Sequence, residues 1–201
     1  MPKLGMEKMR RQDLIAAARQ CIATSGSLKV TMAEIARAAA VSPGLAHFYF
    51  QSKEQLILAT FTSLLAEYRA DLLLASRQAD TPRQKLSAFA NACFSEKHFT
   101  TEAISVWLVF FASAKENPEI ARLFSAYARR TRSNLRFVLG ALAPAHKASF
   151  IAEGIAAMVD GLYIAHSLES PVRNRSDAVQ LLENYVDIQL AGSTAKENAR
   201  A

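Results

Sequence analysis

The chain has 201 residues, 51% hydrophobic and 21% charged, which excludes a disordered segment and leaves room for one large or two small domains with a real core. Alanine and leucine abound while glycine (7) and proline (6) are scarce, which favours an all-helical chain. The formal charge is +6, and residues 1–53 hold +5 of it, with Lys3, Lys8, Arg10, Arg11, Arg19, Lys29, Arg37 and Lys53 against Glu7, Asp13 and Glu34. Such a basic front quarter suits a polyanion, either nucleic acid or an anionic membrane.

In chain order, the apolar spacing and the start and stop residues predict helices at 7–25, 32–39, 43–49, 53–77, 82–97, 101–114, 118–141, 145–168 and 176–191. Gly26 suits a helix C-terminus. Thr31-Met-Ala-Glu34, Ser52-Lys-Glu-Gln55 and Thr81-Pro-Arg-Gln84 fit the capping box, where the cap hydroxyl and the third-residue acid or amide satisfy each other's end groups. Ser42-Pro43 and Asn117-Pro118 put a cap residue before a proline at the first helical position, where its missing N–H costs nothing. No segment combines strand alternation with turn signals, and the polar residues 192–201 read as a flexible tail.

Cys21 and Cys93 lack a CxxC partner, and His47, His98, His146 and His166 are scattered, so neither a metal nor another cofactor is expected. Arg19 interrupts the apolar stretch behind the basic N-terminus, which therefore does not read as a signal peptide. The longest apolar run, Ala103–Ala114, is too short to span a bilayer. A soluble cytoplasmic protein without a membrane partner is the expectation.

Two short helices, 32–39 and 43–49, flank a tight turn at Ala39-Ala40-Val41. That is the helix-turn-helix arrangement, whose second helix enters the major groove by its N-terminal part. Thr31-Met32-Ala33-Glu34-Ile35-Ala36, Val41-Ser42, Gly44, Tyr49-Phe50, Lys53 and Leu56 stand at the spacing found in TetR-family repressors, and the front of this chain resembles them. The resemblance implies an N-terminal three-helix DNA-binding domain (1–53), joined by a long helix to a helical ligand-binding and dimerisation domain (54–191). It also implies a homodimer on a palindromic double-stranded DNA operator. Thr31, Ser42, Tyr49 and Lys53 would touch phosphates, which set affinity without reading sequence. Pro43, Leu45, Ala46 and His47 would face the bases, and Gly44 would allow close approach to DNA or to a neighbouring helix. Ile35, Ala36, Val41 and Phe50 read as core, and Phe48 as core in preference to contact. The family usually has glycine in the turn where this chain has Ala40; a left-handed conformation there would cost on the order of 1 kcal/mol.

Behind the front end, Trp107, Phe110 and Phe111 form an aromatic stripe at i, i+3, i+4, and Asp160 and Tyr163 interrupt an apolar helix. Aromatic faces with a carboxylate suit a quaternary ammonium ligand, although such stripes are also ordinary core. Met1–Ile15, Trp107–Ser113 and Val159–Tyr163 resemble the betaine-pathway repressors, which sense choline. Phe111 and Tyr163 stand where those repressors carry tryptophan, and the helix at 43–49 also departs from theirs. A related repressor with another small hydrophobic or cationic effector therefore stays open. Two other classes compete with this one: a helical enzyme using Glu153 and Asp160 as acid and base, and an adaptor or membrane-surface protein. The first lacks a nucleophile, phosphate loop or metal set. Against the second, the front end is broken into short capped helices.

Overall fold

The computed structural model describes residues 4–168 and 174–198. Lys3, the first residues of the Met1–Ile15 resemblance and the last residues of the tail at 199–201 lie outside them. The described residues form nine helices and no strand: α1 (Leu4–Ser25), α2 (Met32–Ala38), α3 (Pro43–Tyr49), α4 (Lys53–Arg77), α5 (Pro82–Cys93), α6 (Thr101–Ser113), α7 (Pro118–Leu139), α8 (Ala145–Ser167) and α9 (Arg175–Asn198). They fall into two compact units, residues 1–67 with 105–124 and residues 68–104 with 125–201.

The expected caps account for most helix starts. Thr31 and Thr81 complete reciprocal capping boxes with Glu34 and Gln84. Ser42 Oγ accepts from Leu45 N at 3.2 Å, Ser52 Oγ from Gln55 N at 3.2 Å, and Asn117 Oδ1 from Glu119 N at 2.9 Å. Gly26 ends α1 with φ +61°, the left-handed turn glycine makes cheaply.

Two helix ends differ from expectation by four residues or more. The helix expected to reach 97 stops at Cys93, because a turn there lets Phe94, His98 and Phe99 point inward, where all three are buried. Burial of two phenyl rings outweighs the local preference for continuing the helix. At the other end, α9 runs past the expected stop at 191 to Asn198. Gly192 is the only breaker in that stretch, and Ala195, Lys196 and Glu197 are good helix formers.

In the front unit α1, α2 and α3 pack on one another. Leu14, Ala18, Ile22, Ile35, Ala36 and Phe50 fill the space between them. The Arg11 guanidinium lies 4.2 Å over the Phe50 ring and donates to the Tyr49 carbonyl, so a cation on α1 fixes the end of α3. The unit does not stop at residue 53, because Phe61 on α4 stacks against Phe110 on α6 at 4.6 Å.

In the back unit α9 packs on both α5 and α8. Arg83 on α5 binds Glu183 and, at 2.9 Å, Asp187 on α9. Gly154 on α8 matters for contact: a Cβ there would lie 1.9 Å from Tyr185 Oη, so only glycine admits that ring against the helix. Among the described residues, α8 is also the one helix long and apolar enough to cross a membrane.

Candidate functional site

The turn between α2 and α3 is a Schellman motif. Val41 N donates to Ala36 O at 2.9 Å and Ala40 N to Arg37 O at 3.1 Å, with Ala40 at φ +52°. Ala40 therefore adopts the left-handed conformation usually left to glycine. The turn sets α3 with Ser42, Pro43, Gly44 and His47 exposed and Leu45 and Tyr49 half-buried.

Two side chains of α3 sit opposite to expectation. Ala46, expected at the bases, is fully buried, and Phe48, expected inside, is 71% exposed. The small methyl of Ala46 suits the close packing of α3 on α1 and α2, and Phe50 one turn later fills the same side. That phase turns Phe48 outward, edge-on to Tyr49 at 5.3 Å. Val41 is half-buried where full burial was expected, while Ile35, Ala36 and Phe50 are core as expected.

Flanking α3, Thr31 is exposed, and its hydroxyl donates to Glu34 Oε2 at 2.8 Å. Hydrogen bonds from Thr31 hold the Glu34 carboxyl below its ordinary range. Lys53 Nζ donates to Leu28 O at 3.2 Å, which anchors the start of α4 to the loop after α1. Gly44 needs no clearance from the chain itself, since a Cβ there would meet nothing within 4 Å. Close approach to a neighbouring helix is thus not what this glycine serves.

The expected effector residues divide between the units. Trp107 and Phe110 are fully buried in the front unit, with Phe111 half-buried. Their rings pack together and onto Phe124, 5.7 Å from Phe110 and 5.3 Å from Phe111. Asp160 and Tyr163 belong to the back unit.

Within that unit the Asp160 charge acts on Tyr127 and Tyr163. Tyr163 O–H donates to Cys93 O at 2.8 Å, and Tyr68 O–H donates to Cys93 Sγ at 2.9 Å. The Tyr68 ring meets Tyr127 at 6.0 Å and His98 at 5.0 Å, both edge-on. Asp71 Oδ2 in turn lies 2.8 Å from both His98 Nε2 and Lys97 Nζ.

Burial pushes the Asp160 carboxyl up to about 6, with the Arg132 charge pulling the other way. The Asp160 charge helps to raise Cys93 (to about 12), Tyr127 and Tyr163, all chiefly raised by burial. Cys93 is therefore an inert thiol. Glu153 is engaged elsewhere, accepting from Arg132 Nε at 2.6 Å. Sequence reading found Asp160 and Tyr163 here but missed Tyr68, Cys93 and Tyr127. Only Tyr127 left a signal, as a tyrosine between alanines in an arginine-rich helix.

A capped short helix after a left-handed turn in one unit, and a half-buried carboxylate on a helix of the other, have close parallels. Residues 14–60 match the model of the bacterial regulatory proteins of the tetR family, and residues 82–191 match that of the BetI-type transcriptional repressor C-terminal domain. The HTH-type transcriptional regulator BetI of Brucella suis is 48% identical over 198 residues, 98% of this chain and 100% of that one. A transcriptional regulator from Pseudomonas aeruginosa PAO1 superposes with a TM-score of 0.82 at 25% identity, over 94% of each chain. One from Saccharomonospora viridis, in complex with choline, has a TM-score of 0.80 at 19% identity, over 90% of this chain and 96% of that one. The chain belongs to the TetR family, as a transcriptional repressor with a BetI-type C-terminal domain.

Proposed function

We propose that the protein binds a palindromic operator as a homodimer and that a quaternary ammonium compound, choline or a close relative, governs that binding from a site around Asp160. The operator would be met by α3 in the major groove. Thr31, Ser42, Tyr49 and Lys53 would hold phosphates, and Pro43, Leu45 and His47 would lie at the bases. Exposed Phe150, Ala157, Gly161 and Ile164 on α8 and Leu168 at its C-cap, with Leu181 and Ile188 on α9, offer the apolar face a second copy would cover. A Cβ on Gly161 would meet nothing within 4 Å, so a partner helix has room to approach. On this reading α8 is an interface helix of a cytoplasmic regulator, and its length and apolarity serve the dimer instead of a membrane.

The observation that carries the effector reading is the Asp160 carboxyl, raised to about 6 among tyrosines. A cation without hydrogen-bond donors can offset that charge, and ring faces can hold its methyl groups. Trp107, Phe110 and Phe111 then act as core of the front unit and not as cage walls. A ligand changes operator affinity only through different affinities for the two protein states, so binding and release are linked. Tyr163, its hydroxyl held by the Cys93 carbonyl, departs from the tryptophan that the resemblance to the betaine-pathway repressors implies there, and this favours a differently shaped cation as the second reading.

Choline and betaine aldehyde should raise the melting temperature saturably and shift operator affinity in a gel or anisotropy titration. Because the ionised carboxylate is the binding form, choline affinity should rise about ten-fold between pH 5 and pH 7. Asp160→Asn should remove both the binding and its pH dependence. Unchanged melting and operator affinity at millimolar choline and betaine aldehyde would rule out the choline reading; saturable binding by another cation, lost in Asp160→Asn, would support the second.

A further inference from the structure

Phe48 is the most exposed large apolar side chain among the described residues of the front unit, at 71%. Its one ring contact is the edge of Tyr49, 5.3 Å away at 78°, which orients the ring without covering it. One turn earlier on the same side lies Gly44, with open space where its Cβ would be. Its backbone is not in the left-handed region either, so neither conformation nor internal packing calls for glycine. Exposed His47 stands between them at i+3. Ala46 and Phe50 are buried on the opposite side, which fixes the rotation of the helix. Gly44, His47 and Phe48 thus form one outward patch, with vacant space at its N-terminal end and a phenyl ring at its C-terminal end.

We infer that Phe48 is a specificity-determining contact: its ring lies against the 5-methyl group of a thymine in the major groove, and the absent side chain of Gly44 lets the base edge come that close. The inference rests on the DNA reading proposed above. A phenyl ring can neither donate nor accept a conventional hydrogen bond, and the thymine methyl is the apolar group that the major groove offers it. The basic front unit brings the duplex to this face, and His47 beside the ring can hydrogen-bond a neighbouring base edge. The contact selects T over C because of the methyl group alone, so cytosine should become acceptable at that position once it is 5-methylated.

The test begins with selection of duplexes from a random pool by the full-length protein. Each thymine of the enriched half-site is then replaced by deoxyuridine, which removes only the methyl group. One symmetric thymine should stand out, with affinity falling about four-fold per half-site. Phe48→Ala should bind the parent operator more weakly by a similar factor and be indifferent to deoxyuridine there. Its melting temperature and the salt dependence of its binding should match the parent, because the side chain is exposed and touches no phosphate. A cytosine at that position should bind poorly, and 5-methylcytosine should restore binding to the parent but not to Phe48→Ala. Specific binding with the same deoxyuridine response in both proteins would overturn the Phe48 assignment and leave the DNA reading intact. A fall of several degrees in the melting temperature of Phe48→Ala would also overturn it, since the ring would then be core. A parent protein that enriches no sequence would overturn the DNA reading itself.

Discussion

The reading helix and the Asp160 cluster draw their parts from very different distances along the chain. Thr31 to Lys53 span one short stretch, and Ser42, Pro43 and the Ala40 turn place α3 through bonds between near neighbours. Cys93, Tyr127 and Tyr163, on which the Asp160 charge acts, and Tyr68, which bonds Cys93, come from four helices, and nothing local brings them together. The first region points polar and aromatic groups at solvent. The second hides two tyrosine hydroxyls and a thiol from it and keeps a carboxylate half-buried. A surface for a large polyanion needs exposed, salt-sensitive contacts, whereas a small cation needs an enclosed charge that water does not screen.

The largest effect should come from breaking the buried side of the reading helix. Ala46→Asp puts a carboxylate into a fully buried position against α1 and α2. The expected loss is more than about 3 kcal/mol in urea unfolding, with operator binding lost alongside. Normal stability with selectively lost DNA binding would instead return Ala46 to the base-contacting face.

That position also shows where sequence reading reached its limit. The nine helices, their caps, the Ala40 turn and the core roles of Ile35 and Phe50 were legible, because each depends on a few neighbouring residues. The rotation of α3 was not. Seven residues carrying an alanine, a leucine, a histidine and two aromatics admit two phases. The bulkier Phe48 looked like core, but Ala46 takes the buried side against α1 and α2 and leaves Phe48 outside. The effector side shows the same limit on a larger scale. Trp107, Phe110 and Phe111 announced themselves by spacing, yet Phe110 packs on Phe61 and Phe124, Phe111 on Phe124, and Trp107 on the other two. Tyr68 and Cys93 carried no pattern, and only the fold pairs them.

The next effect should come from the buried charge of the second region. The rise of the Asp160 carboxyl from 3.8 to about 6 corresponds to about 3 kcal/mol of folded-state penalty when it is ionised. Well below pH 3.8 the group is neutral in both states and imposes nothing. Between 3.8 and about 6 the unfolded chain loses its proton first, so stability falls as pH rises, and above that range the penalty is constant. Asp160→Asn should therefore stabilise the effector-free protein at pH 7 by up to about 3 kcal/mol and flatten that slope. Urea midpoints at pH 4 and pH 7 check both; a destabilising Asp160→Asn would mean that the carboxylate is held by partners and is not poised for a cation.

The smallest effect tests whether the reading helix is as locally determined as it looks. Two helices of the front unit end in the left-handed conformation, α1 through Gly26 at φ +61° and α2 through Ala40 at φ +52°. Glycine takes it freely, whereas alanine brings its Cβ too near the following carbonyl. Against that, glycine gives the unfolded chain more freedom to lose, so the two terms partly cancel. Ala40→Gly should accordingly stabilise the protein by about 0.5–1 kcal/mol, and Gly26→Ala should destabilise it by about 1 kcal/mol. The pair of urea midpoints checks both signs. Operator affinity of Ala40→Gly then separates two uses of the alanine. Unchanged affinity means that the Val41–Ala36 and Ala40–Arg37 hydrogen bonds alone hold α3 in place. Weaker binding by a more stable protein means that the alanine stiffens the turn and holds α3 at its reading angle, so that its local strain serves recognition.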